Sequence, residues 1–266
     1  ALSYAYDHEW INKTIYQNAY VRTDSYFDNS PLASSGLPSK NELELLNVWK
    51  DEIPAEVFTE TFTPPITDGS GNDRKNLLKA KEILEKEGWF VEDGKLVKDG
   101  KEFKFEFLIV SPSDEKIALA YQSNLKKLGI TMDVRTVDSS QYQERLLSYD
   151  FDMIKRYWGV SLSPGNEQQF YWGSEVGQKD GSRNYPGINS PAVDALIEKL
   201  ISATNREELT TAIHALDRVL LWGHYVVPLY HSNKDRIAYW DFFEYPDEIP
   251  LYGIVIESWW INKDKQ

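Results

Sequence analysis

The chain has 266 residues and no cysteine, so it can bury a large core, while a disulfide frame, a thiolate metal site and a cysteine nucleophile are excluded. Its net charge of −13 would repel a phosphate backbone or an anionic lipid surface, which sets nucleic acid aside as a partner. No apolar run reaches the roughly 18 residues that a membrane crossing needs, and the 14% of aromatic residues remains to be placed in core or site.

The first residues, ALSYAYDHEW, lack an initiator methionine, a basic segment and an apolar leader stretch, and are expected to start a mature product or a piece cut from a longer chain. Ile11, Ile15 and Ala19 recur at spacings of four and predict a helix over 3–20. Residues 21–39 are rich in Ser, Pro, Gly and Asn and predict an ordered loop. Ser39 with Glu42 forms a capping-box pattern for a helix over 40–49. Residues 51–72 read as irregular connector. Within it, DGSGND at 68–73 lacks the glycine and glutamate of a calcium loop, having Asp73 and Lys79 at those positions. It reads instead as a turn in which Asn72 or Asp73 caps a helix over 73–87, ended by Gly88.

Asp93-Gly94 and Asp99-Gly100 punctuate alternating residues and predict hairpins leading into a strand over 103–110. A helix over 114–128 stops at Gly129, and a strand follows over 130–137. A helix over 139–148, capped by Ser139 or Ser140, leads to a third strand over 151–158. This strand–helix–strand order favours parallel pairing with a right-handed crossover. Turn-rich residues 181–190 precede helices near 191–203 and 205–222, the second capped by Asn205. The chain closes with strand-like segments at 226–233 and 235–243 and a tail. The class is α/β, a mixed sheet with helices packed on it.

Open α/β sheets bind ligands beyond the carboxyl ends of their strands, and residues 157–173, YWGVSLSPGNEQQFYWG, begin at such an end. Tyr157, Trp158, Phe170, Tyr171 and Trp172 flank small and amide residues, with Glu167 as the one formal charge. His8, His214, His224 and His231 make no metal-binding spacing, so neither a metal nor a cofactor is expected. There is no GxSxG elbow, no phosphate-loop lysine and no specific acidic partner for Glu167, so no catalytic residue is assigned. Rings and hydrogen-bonding groups without a titrating pair make a surface that holds a ligand unchanged. A glycan-binding module or glycoside-acting enzyme, and a protein-contact surface, stay open as alternatives.

Several stretches together carry a resemblance: ALSYAYDHEWINKTIY, RKNLLKAKEILEKEGW, LGITMDVRTVDSSQYQERLLSYDFDMI and RNYPGINSPAVDALIEKLISATNREEL. Taken in order they resemble the family 5 extracellular solute-binding proteins, the oligopeptide, dipeptide and nickel receptors of ABC importers. RTDSYFDNSPLASSGLPSKNELELL and PPITDGSGNDRKNLLKA are similar to its YejA-type subgroup, which imports microcin C and oligopeptides.

The resemblance implies a type II periplasmic binding protein of two lobes that close on a ligand. Residues 1–248 would be the C-terminal ligand-binding lobe, and residues 249–266 a tail returning to a first lobe upstream. It further implies a periplasmic address, a membrane permease as partner, a peptide-type ligand and a monomeric receptor. Trp158 is expected to wall the cleft, with Ser161, Ser163, Asn166 and Gln168 as polar contacts. Arg183, Asn184 and Tyr185 form its opposite rim, with Tyr26 and Phe27 contributing from the Ser/Pro loop. Arg183, if it faces the cleft, can take a carboxylate or phosphate bidentately. The family's peptide receptors place an aspartate for the ligand's free amino terminus where this chain has Ser161, which implies a blocked or modified peptide. An apolar patch is expected around Trp259–Trp260, against the other lobe.

Overall fold

The computed structural model describes residues 1–177, 179–250 and 253–265, and it opens with two helices, α1 (Leu2–Ala5) and α2 (His8–Thr14). The single helix expected over 3–20 is therefore broken, and Asp7 is the cause. Tyr6 is extended, and the Asp7 carboxylate accepts from Trp10 N at 3.0 Å to cap α2. The same carboxylate accepts from Gly71 N at 2.9 Å and from the Thr67 hydroxyl, so a loop sixty residues away holds the break in place. After α2 the chain reverses through Gln17 and Asn18, both at positive φ, into the two-residue strand β1 (Val21–Arg22).

The Ser/Pro loop that follows is ordered from outside. Helix α3 (Lys40–Leu46) starts on the expected capping box, Ser39 and Glu42 each bonding the other's backbone. The connector, expected to be irregular, holds a short helix, α4 (Glu56–Thr59), which buries Val57. Asp73 caps α5 (Arg74–Lys86), and Gly88 follows its end at φ +82°.

Strands β2 (Phe90–Glu92), β3 (Lys95–Lys98) and β4 (Lys101–Glu102) form an antiparallel meander. Asp93, Gly94, Asp99 and Gly100 all have positive φ, the geometry that an Asp-Gly hairpin turn requires. Strand β5 (Lys104–Ile109), helix α6 (Pro112–Lys127), strand β6 (Thr131–Thr136), helix α7 (Ser139–Leu147) and strand β7 (Met153–Ile154) then build the parallel sheet, in the order β6-β5-β7. Phe107, Leu108 and Ile109 are buried, as befits a central parallel strand covered on both faces. Gly129 ends α6 at φ +80°, and a Cβ there would meet Leu96 N at 2.7 Å, so glycine alone lets the meander lie against the crossover.

Two sequence expectations fail here. Asp138, rather than Ser139 or Ser140, caps α7, accepting from Ser140 N and Gln141 N. The strand expected over 151–158 shrinks to β7, because only Met153 and Ile154 pair with β5 and the chain then leaves the sheet.

Helix α8 (Glu167–Trp172) occupies the end of the aromatic segment, and α9 (Pro191–Ile201) and α10 (Arg206–Trp222) pack together, the latter capped by Asn205 as expected. Their apolar faces meet Leu32, Leu46 and Val57 in the largest core cluster. Two adjacent residues of α10 clamp the Ser/Pro loop. Asp217 accepts from Ser25 Oγ, Tyr26 N, Ser34 N and Ser34 Oγ at 2.7–3.0 Å. Arg218 donates to Glu42 at 2.6 Å and to the carbonyls of Ser35, Gly36 and Leu37.

The last two expected strands contract as well. Of 226–233 only β8 (Tyr230–His231) forms a ladder, antiparallel to β1. Of 235–243 only Phe243 does, within β9 (Phe243–Glu244), paired with β10 (Trp260–Ile261). Among the described residues, parallel and antiparallel pairing are both present, in four separate sheets.

Candidate functional site

Strand β7 ends at Ile154, at the carboxyl end of the parallel sheet. Lys155 and Arg156 occupy that edge, and Trp158 follows, half-buried. The Trp158 ring lies 4.7 Å from Trp172 and 6.3 Å from Tyr185, and its Nε1 donates to the Arg183 carbonyl at 3.2 Å. Tyr26 meets the far side of the set, edge-on to Trp172 at 5.0 Å. Arg156 Nη2 donates to Tyr185 Oη at 3.3 Å, and the guanidinium carbon stands 5.1 Å from the centre of that ring. Its Nε is sealed from solvent without a partner among the described residues. Tyr149 and Phe151 complete the aromatic floor beside Tyr185.

The residues expected to bind ligand therefore separate into three groups. Trp158 and Tyr26 meet Trp172, Tyr185 joins them through Trp158, and Arg183 does so through its backbone carbonyl alone. Arg183 is exposed, with its guanidinium carbon 5.9 Å from the centre of the Phe170 ring. Ser161, Ser163 and Asn166 are exposed along the loop. There Ser161 Oγ accepts from Ser163 N at 3.0 Å, and Asn166 makes no side-chain cap to α8. Phe27, Gln168 and Asn184 face inward and brace the site. Phe27 is 1% exposed in the helical core. Gln168 Oε1 accepts from Trp172 Nε1 at 2.9 Å, fixing that ring. Asn184, fully buried, donates to the Gly173 and Ile188 carbonyls and accepts from Ile188 N. All of its hydrogen-bonding groups are occupied.

Sequence reasoning missed Lys155, Arg156 and the tyrosines opposite them. Lys155 Nζ lies 2.5 Å from Asp114 Oδ1 and 3.1 Å from Tyr230 Oη, and Tyr230 Oη is 2.6 Å from Tyr16 Oη. Asp114 stands in the first turn of α6, so the sheet edge and a helix start share this ion pair. The signal was the Lys-Arg pair directly after the apolar strand residues; the tyrosines, at 16 and 230, gave none. Burial raises the hydroxyls of Tyr16 and Tyr230 above the usual tyrosine value, leaving both neutral. The loop's acid, Glu167, accepts from Gly165 N at 2.9 and 3.0 Å and closes a turn. Among the described residues no group of three His, Asp or Glu side chains could hold a metal, and no helix is long and apolar enough to cross a membrane. Half-buried rings with Arg156 at a sheet edge are equipped for holding a polar or peptide-like solute.

Residues 1–180 match the family model of bacterial extracellular solute-binding proteins, family 5, middle region. The uncharacterized protein y4wM of Sinorhizobium fredii is 49% identical over 98% of this chain and 40% of its own length. The probable peptide-binding protein YejA of Agrobacterium fabrum is 42% identical over 99% of this chain and 43% of its own. The chain thus spans less than half the length of the curated relatives it matches. Among solved structures, the oligopeptide-binding protein AppA of Bacillus subtilis, in complex with a nonapeptide, superposes with a TM-score of 0.66 at 22% identity, over 98% of this chain and 46% of AppA.

Proposed function

The chain belongs to the bacterial extracellular solute-binding proteins of family 5, and we propose that it is the C-terminal lobe of a two-lobed peptide receptor serving an ABC importer. Residues 1–248 form the lobe and residues 249–266 run back to the first lobe. The observation that carries this reading is the half-buried rings of Trp158 and Tyr185, backed by the buried Trp172 and with Arg156 against Tyr185, at the carboxyl edge of the parallel sheet. Such a wall grips peptide side chains through ring area with few rotors to freeze, and the cation meets a carboxylate or a modified end. The names of similar proteins, a probable peptide-binding protein and an oligopeptide-binding protein holding a nonapeptide, support the same ligand class.

The receptor works without turnover. A peptide, or a peptide blocked at its amino end, is enclosed when a first lobe closes over the wall, and the closed form is delivered to a membrane permease on the extracytoplasmic side. Closure of this kind is a hinge motion of two rigid lobes around the ligand, the mode common to periplasmic binding proteins. Ser161 and Ser163 stand on the exposed stretch that the incoming lobe and the ligand's end would meet. The exposed rings of Trp240 (73% exposed) and Trp260 (49% exposed) would be covered by the first lobe. The receptor acts as a monomer.

Native mass spectrometry of the full-length receptor as isolated tests the assignment. Peptide masses that leave on denaturation are expected. An oligosaccharide in their place, or cleavage of a chromogenic glycoside by the protein, would overturn it.

A further inference from the structure

Arg22 ends β1, with Tyr230 as its partner across the ladder. All three of its guanidinium nitrogens are sealed from solvent, and none has a hydrogen-bond partner among the described residues. The group lies over the Tyr6 ring, 4.8 Å from its centre. Two further polar atoms in this cluster, Tyr6 Oη and His8 Nδ1, are likewise sealed and unpaired. Burial, ahead of every other influence, raises the Tyr6 hydroxyl and lowers both His8 and Arg22 from their ordinary values.

An unpaired guanidinium is among the costliest groups to bury, and the face of one tyrosine offsets only part of that cost. Of the nearby carboxylates, Asp7 and one oxygen of Glu9 are committed to other donors. Asp7 accepts from Trp10 N, Gly71 N and the Thr67 hydroxyl, and Glu9 accepts from Thr67 N at 2.9 Å and Thr67 Oγ1 at 2.6 Å. Among the described residues Arg22 keeps its donors and finds no acceptor. Beside it opens a groove of about 470 Å³, bordered by Arg22, His8, Asn12 and Lys13 and by two carboxylates, Glu9 and Asp68.

We propose that Arg22 is an anion-binding residue, whose guanidinium rests on Tyr6 and turns into this groove to take a carboxylate or phosphate group. The planar fork matches two oxygens of either group, and Lys13 lines the same groove, opposite in charge to Glu9 and Asp68. The groove is distinct from the ring wall, since Tyr6 packs in the core cluster around α6 and Trp158 in the helical one, though Tyr230, the ladder partner of Arg22, also bonds Lys155.

Thermal unfolding of the full-length protein and its Arg22→Met variant, in acetate, phosphate or chloride at one ionic strength, tests it. Without acetate or phosphate the variant, freed of a buried charge, is expected to melt at or above the wild-type temperature. Acetate or phosphate is expected to raise the wild type by about 3 °C more than the variant. The comparison between proteins matters, because phosphate stabilises most proteins by exclusion from their surface.

A tripeptide and its C-terminal amide separate the sources. A rise with inorganic phosphate marks a free anion as sufficient, whereas a rise confined to the free-acid peptide marks a chain terminus. A second reading comes from the arginine Nε–H resonance that disappears in Arg22→Lys, which should move as phosphate or the free-acid tripeptide is added to the wild type. A resonance that neither one moves overturns the proposal. So does an Arg22→Met variant that melts well below wild type without acetate or phosphate, for then the guanidinium already has an anionic partner in the folded protein.

Discussion

Trp158 and Ser161 lie three positions apart and call for different tests. Trp158 joins Trp172 and Tyr185, so Trp158→Ala removes ring area from the wall and leaves the buried Trp172 in place. Loss of one such ring is expected to weaken peptide binding about 10- to 50-fold by calorimetry on the full-length receptor, at about 1.4 kcal/mol per tenfold, with little change in unfolding temperature. Ser161 is exposed and engages only the backbone of Ser163, so the fold tolerates a change there. Ser161→Asp is expected to raise affinity for a peptide with a free amino terminus relative to its N-formylated form, because a carboxylate compensates a desolvated ammonium. Equal affinities for the two peptides in both proteins would remove Ser161 from the recognition of that end. Asn184 and Gln168 read as contacts from their residue type, yet their amide groups are used inside the protein. Residue chemistry is visible in a sequence; the direction a side chain faces is not.

At the scale of elements, distant partners decide where helices start and how loops are held. Asp7 caps α2 and at the same time receives the Thr67 hydroxyl and Gly71 N. Asp7→Ala removes the cap and leaves those donors unpaired, so a loss of about 2–3 kcal/mol in urea unfolding is expected, more than the ~1 kcal/mol of an isolated cap. The clamp of α10 on the Ser/Pro loop predicts a pH dependence. Burial alone would raise the Glu42 carboxyl, but His214, 3.8 Å away, and the hydrogen bond and charge of Arg218 outweigh it and hold the group at about 2, below its ordinary 4.5. A depressed carboxyl contributes stability that is present above 4.5 and lost as pH falls toward 2, here on the order of 2 kcal/mol. The Glu42 carboxylate beside it, against burial, raises His214 above 6.5, so its share is present below 6.5 and fades as pH rises through the raised value. Glu42→Gln should flatten the acid limb of a stability–pH curve. An unchanged acid limb would exclude this clamp as its source.

On the scale of the whole molecule, the proposal that the chain supplies one wall of a cleft predicts a difference in affinity. Losing the other wall removes about four hydrogen bonds at about 1 kcal/mol each, so the isolated 266-residue chain is expected to bind peptide roughly three decades more weakly than the full-length receptor. Tight binding by this chain alone would contradict the half-cleft proposal. The exposed Trp240, Ile256 and Trp260 predict that the isolated chain binds a hydrophobic dye more strongly than the full-length receptor does.

What was legible in the amino-acid order was local or repetitive. The Ser39–Glu42 capping box, the Asp-Gly hairpins, the stop at Gly129 and the parallel strand–helix–strand unit depend on neighbours within a few positions, or on a hydrophobic period that burial enforces. The quoted motifs carried the family, and with it the α/β fold. Tertiary structure decided what depends on partners far along the chain. Thr67 and Gly71 hold the break at Asp7, and β7 is only as long as its contact with β5. Arg156 meets Tyr185, Lys155 meets Tyr230, and Arg22 lies over Tyr6 without an acceptor among the described residues. A side chain's partner is set by how elements pack in space, and sequence separation carries no record of that distance.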